Sequence, residues 1–101
     1  MNNKLYDKIK IMNYPKTIFV DYHDTLYDTK HFRPNIKLIE ALIKARKRGV
    51  TVVLWTAAPF ITAVKSIAYM EHYGLMFDGV RCGIEKGDLI IDDLAENSLV
   101  V

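Results

Sequence analysis

The sequence predicts an α/β domain built on a parallel sheet with helices on its faces. Two short runs rich in apolar and β-branched residues, 17–22 and 50–55, read as buried strands. Each is followed by a stretch whose apolar residues recur at helical spacing. That strand–helix–strand order implies right-handed crossovers and parallel pairing. The chain has 101 residues, which suits one domain, 1–101, with a single core.

The elements follow in order. Residues 1–15 are polar with scattered Leu5, Ile9, Ile11 and Met12, and form a short helix or an arm ended by Pro15. The first strand covers 17–22, and residues 23–33 read as a polar loop. Pro34 suits the first turn of a helix whose face is Ile36, Ile39, Leu42 and Ile43, with Gly49 as its stop. Lys44, Arg46, Lys47 and Arg48 sit where cations favour a helix C-terminus. The second strand breaks at Thr56-Ala57-Ala58. Pro59 opens a second helix with Ile61, Val64, Ile67 and Ala68 on one face and Gly74 just past its end. After a loop through Phe77-Asp78-Gly79, residues 80–82 make a short third strand and 89–91 a fourth, ending in Asp92-Asp93. Residues 95–101 allow one helical turn and a stub of strand, with an apolar end at Leu99-Val100-Val101 that favours a homo-oligomer.

Composition narrows the class. Half of the residues are hydrophobic and 26% are charged, a globular balance rather than a disordered one. No apolar run reaches the roughly 18–20 residues of a membrane-spanning helix. No apolar segment follows the first lysines as a secretory signal requires. The single Cys82 has no disulfide partner within the chain, so a reducing, cytoplasmic setting is expected. Residues 1–50 hold eleven Lys and Arg against five Asp and Glu, a charge of +6, while 51–101 hold three against seven, a charge of −4. The basic half leaves nucleic acid open as a partner, although no recognised motif or interleaved aromatics accompany it.

In open parallel sheets, ligands bind beyond the carboxyl ends of the strands. Asp21, Thr56 and Asp92/Asp93 all stand at such ends. Two or three carboxylates brought together are costly unless a cation or proton neutralises them. Mg²⁺ suits a site of few carboxylates and several waters. Thr56 offers a hydroxyl ahead of a helix N-terminus, where backbone N–H groups favour an anion. Carboxylates, a divalent cation and an anion pocket together point to phosphoryl chemistry.

The stretch Ile18-Phe19-Val20-Asp21-Tyr22-His23-Asp24-Thr25-Leu26 resembles the first motif of the haloacid dehalogenase (HAD) superfamily, an apolar strand followed by Asp-x-Asp-Gly-Thr-Leu. Val53-Leu54-Trp55-Thr56 is similar to the second motif, and Leu89-Ile90-Ile91-Asp92-Asp93 to the fourth. The resemblance implies a three-layer α/β/α, Rossmann-like core and a Mg²⁺-dependent phosphomonoesterase working through an aspartyl-phosphate on Asp21. It implies metal ligands from Asp21, the backbone carbonyl of His23, and Asp92 or Asp93. It implies phosphoryl contacts from Thr56 and Ala57, and Lys86 as the charge-balancing lysine. Receiver domains of response regulators place their acidic pair on the first strand. Here the pair comes last, which sets that architecture aside.

Two positions depart from the motif. His23 stands where the family's acid/base Asp does, and Asp24 where Gly is usual. Histidine titrates near neutral pH and can do this work, or a shifted turn hands it to Asp24. The alternative is a catalytically impaired module that still binds phosphate and metal. Lys86 follows Gly83 by three residues rather than directly. No cap domain fits between these motifs, so an open site can admit a macromolecular phosphorylated substrate. Of the remaining residues, Trp55 reads as core, His31 and His72 as surface, Asp28 and Asp88 as turn residues and Cys82 as a small buried hydrophobe.

Overall fold

The computed structural model describes residues 17–84 and 98–101. Chain order is β1 (Thr17–Asp21), β2 (Tyr27–Asp28), β3 (Arg33–Pro34), α1 (Ile36–Lys47), β4 (Thr51–Thr56), α2 (Phe60–His72), β5 (Gly79–Cys82) and β6 (Ser98–Val100). Four strands form one sheet in the order β5-β4-β1-β6, and every neighbouring pair is parallel. The expected parallel α/β sheet is therefore present. The first and second expected strands are each displaced by no more than one residue. The expected arm over 1–15 and strand over 89–91 lie outside the described residues.

Successive side chains of a strand alternate between faces. Ile18 and Val20 of β1, with Val52 and Leu54 of β4, join Leu38, Ile39, Leu42 and Ala45 of α1 and Met70 of α2 in one buried cluster. Both helices thus cover the same face, as two right-handed crossovers running in one direction require. Phe19, Val53 and Trp55 face the other way, packed with Ile84 and Val100. Among the described residues the helices supply one layer, not one on each face.

Several local expectations change. Residues 23–33 are not merely a loop, because β2 and β3 pair antiparallel, Tyr27 with Pro34 and Asp28 with Arg33. Pro34 therefore sits in a strand, and Asn35 caps α1 by accepting the Leu38 N–H. In α1 the buried stripe is Leu38, Ile39, Ala41, Leu42 and Ala45, while Ile36 is exposed. In α2 the buried residues are Ala63, Ser66 and Met70. Ile61 and Val64, expected on the inner face, are 69% and 44% exposed. Ala63 and Ser66 take buried positions on α2 instead, while Ile67 still packs partly against the core that holds Met70. Gly49 and Gly74 end the helices at φ 92° and 89°, a conformation that favours glycine.

Asp78 ties the two ends of this layer together. Its carboxylate accepts the Val52 N–H at 2.8 Å and two Arg46 N–H bonds at 2.7 and 3.2 Å. The Arg46 guanidinium holds the Asp78 carboxyl below the usual carboxylate range, against a smaller opposing effect of burial. Arg46, expected only to complement the helix dipole, thus anchors the start of β4. No helix among the described residues is long and apolar enough to cross a membrane.

Candidate functional site

The sheet order reverses at β1, with β4 and β5 on one side and β6 on the other. In open α/β sheets a ligand crevice forms at such a reversal, outside the carboxyl ends of the strands. Asp21 is the last residue of β1. It pairs in register with Trp55 of β4, one residue before Thr56. On its other side, the Asp21 N–H donates to the Val101 carbonyl at 2.9 Å.

The loop after Asp21 is wound tightly. The N–H groups of Thr25, Leu26 and Tyr27 converge on the Tyr22 carbonyl at 3.2, 2.9 and 3.0 Å. The Tyr22 N–H donates to Asp21 Oδ1 at 2.8 Å, which orients that carboxylate toward the loop. Leu26, fully buried, pins the loop to the core. Asn35 is the second pin. Its Nδ2 donates to the Thr25 carbonyl at 3.1 Å and its backbone N–H to the Leu26 carbonyl at 2.8 Å. Asn35 was missed as a site-supporting residue. An Asn immediately before an apolar helical run is nonetheless a capping signal.

His23 and Asp24 are both exposed on this loop. Asp24 has φ 61°, a left-handed conformation at the position where the motif has Gly. Its Oδ1 accepts both the N–H, at 3.0 Å, and the hydroxyl of Thr29. The Thr29 hydroxyl, then its N–H, lowers the Asp24 carboxyl below its ordinary value. Asp28 behaves as the expected turn residue, accepting N–H bonds from Lys30 and His31. Its other oxygen meets His31 Nδ1 at 2.7 Å, and that contact holds the Asp28 carboxyl low. An open cleft of about 340 Å³ lies on this hairpin, lined by Asp24, Asp28, Thr29, Lys30 and His31.

Thr56 closes β4 and is buried. Its Oγ1 accepts the Ala58 N–H at 3.1 Å, which bends the chain into α2 and leaves the hydroxyl proton to donate. Ala57 is exposed in that bend. Pro59 is the α2 N-cap without a side-chain cap, so the first N–H groups of the helix take no side-chain acceptor there. Cys82 ends β5 in register with Thr56 and is half-buried rather than fully so.

The structure thus brings Asp21 and Thr56 to the ends of adjacent strands, with His23 and Asp24 on the loop that leaves β1. Lys86, Asp92 and Asp93 lie outside the described residues, as does Asp88. The described strand next to β1 on the far side is β6, which carries no acid at its carboxyl end. Among the described residues, no group of three His, Cys, Asp or Glu side chains gathers as a metal site. Comparison of the chain with protein-family models, curated proteins and solved structures finds no match.

Proposed function

We propose that this chain is a HAD-like, three-layer α/β/α domain without a cap, acting as a Mg²⁺-dependent phosphomonoesterase. One observation carries the reading: Asp21 ends β1 where the sheet order reverses, beside the Thr56–Ala58 bend on the neighbouring strand. An Asp21 oxygen attacks the phosphorus of a phosphomonoester, the P–O bond to the alcohol breaks, and the alcohol leaves with a proton from His23 or Asp24. Water then cleaves the aspartyl-phosphate, releasing inorganic phosphate and restoring Asp21. The Thr56 hydroxyl and the Ala57 N–H hold the phosphoryl oxygens, and Lys86 offsets their charge.

Mg²⁺ fits the donors in kind, since the Asp21 carboxylate and the His23 carbonyl are hard oxygen ligands that Asp92 or Asp93 would complete. When bound, it neutralises the crowded anions and draws charge from the phosphoryl group. The substrate is a phosphorylated molecule, macromolecular where the open edge admits it, and the setting cytoplasmic. Nucleic acid as that macromolecule and a homo-oligomer through the 99–101 edge belong to the same proposal.

The test is hydrolysis of an aryl phosphate across pH, with Mg²⁺ or with EDTA, in the wild type and in Asp21→Asn. Activity that needs Mg²⁺ and is lost in the variant supports the reading. Equal activity in Asp21→Asn removes it. A second reading, the impaired phosphate- and metal-binding module, is favoured by Asp24, whose carboxylate is occupied by Thr29 and held ionised, a poor general acid. It predicts Mg²⁺-dependent beryllium fluoride binding that requires Asp21, without turnover. Under the first reading, His23→Ala or Asp24→Ala slows hydrolysis.

A further inference from the structure

Trp55 is the chain's single tryptophan. It stands across the ladder from Asp21, and alternation sets both side chains on the face that holds Phe19 and Val53. The residue is 7% exposed, packed with Phe19, Val53, Ile84 and Val100. The indole Nε1 is sealed from solvent and has no hydrogen-bond partner among the described residues. A Phe or Leu would fill such an apolar slot without a donor. A buried donor left unpaired is a free-energy penalty that native proteins avoid, and one that persists asks for an explanation. Here the cross-strand neighbour is a carboxylate at the sheet reversal.

We infer that Trp55 is a positioning residue of this site: its indole N–H donates to an anionic oxygen at Asp21 when the site is loaded. The inference rests on the phosphoryl reading of Asp21 and extends it. Asp21 Oδ1 already takes the Tyr22 N–H. A donor reaching in from β4 would help fix the rotation of the carboxylate about its Cβ–Cγ bond and so the line of attack on phosphorus. A hydrogen bond to an anion is stronger than one to a neutral acceptor, which offsets the cost of the buried N–H.

A single tryptophan gives a single indole N–H resonance, so the signal is assigned in the wild type without a further variant. Mg²⁺ and then orthovanadate are added to the ¹⁵N-labelled wild type and to Asp21→Asn. The expected result is a downfield move of the indole proton in the wild type and none in the variant. In parallel, Trp55→Phe keeps a ring in the slot and is expected to lower kcat for aryl phosphate roughly 10- to 100-fold with KM little changed. Movement of the Asp21 and Tyr22 amides with a stationary indole proton overturns the inference and leaves the phosphoryl reading standing. So does Trp55→Phe with undiminished kcat. A wild type that neither binds orthovanadate nor hydrolyses aryl phosphate removes both.

Discussion

Asn35→Ala tests how the loop that carries the site is held. The side chain does two things, accepting the Leu38 N–H at 3.4 Å and donating to the Thr25 carbonyl at 3.1 Å. The first contact is long, so the cap is counted at the low end, about 0.5–1 kcal/mol. The second is an ordinary bond to a half-buried carbonyl, about 1 kcal/mol plus part of the cost of orphaning that oxygen. Together they make about 2 kcal/mol, or roughly 8–16 °C in Tm for a domain of this size. Thermal and urea unfolding followed by circular dichroism measure it. Asn35→Asp separates the two contacts, because the carboxylate still caps α1 but has no donor for Thr25. It should fall between wild type and Asn35→Ala. A loss below about 0.5 kcal/mol in Asn35→Ala would refute the assignment of the loop to this residue. An Asn35→Asp protein as stable as wild type would show that the Thr25 contact adds nothing.

Asp78→Ala leaves the buried Val52 N–H without its acceptor and Arg46 without its partner, a loss of about 2 kcal/mol with the half-exposed ion pair counted at well under half of it. The Asp78 carboxyl is lowered in the folded protein, so its contribution is fully present above the unfolded carboxylate range and is lost as pH falls through the folded value. Unfolding curves of wild type and Asp78→Ala should therefore converge in acid and separate toward neutral pH. Thr29→Val removes the hydroxyl that most depresses Asp24 and should move that carboxyl back up toward its ordinary value, read by carboxyl-carbon NMR titration; an unchanged titration would refute that cause. Gly49→Ala, at φ 92° with open space around its Cβ position, should cost about 1 kcal/mol from backbone strain alone, and a neutral result by urea denaturation would contradict the left-handed cap.

Much of this protein is legible before folding is considered. Runs 17–22 and 50–55 are apolar on both faces, which fits strands covered on two sides and hence parallel pairing. Asp21 and Thr56 interrupt those runs at their carboxyl ends, so their place on one edge follows from local pattern and the crossover rule. Gly49 and Gly74 mark helix ends because the cap conformation is intrinsic to the residue. The Asp28 turn is likewise a matter of two or three residues.

What spans the sheet is a different matter. Periodicity marked α2 as a helix, yet Ala63 and Ser66 face the sheet while Ile61 looks to solvent. Which stripe is buried depends on how near the helix axis can come, and that is set by the partner surface. The Asp78–Arg46 pair joins residues 32 apart, and Asn35 reaches ten residues back to Thr25. No local window contains either contact. The strand beside β1 was expected only as a stub, since three residues acquire extended structure from the neighbour that satisfies their backbone. The sequence alone therefore determined the types of β1, α1, β4 and α2 and the edge on which Asp21 and Thr56 stand, whereas the β2–β3 hairpin read as loop. Only the tertiary structure decided that Trp55 lies across from Asp21 with a buried donor that has no partner among the described residues, because register between β1 and β4 is a property of two strands and not of either one.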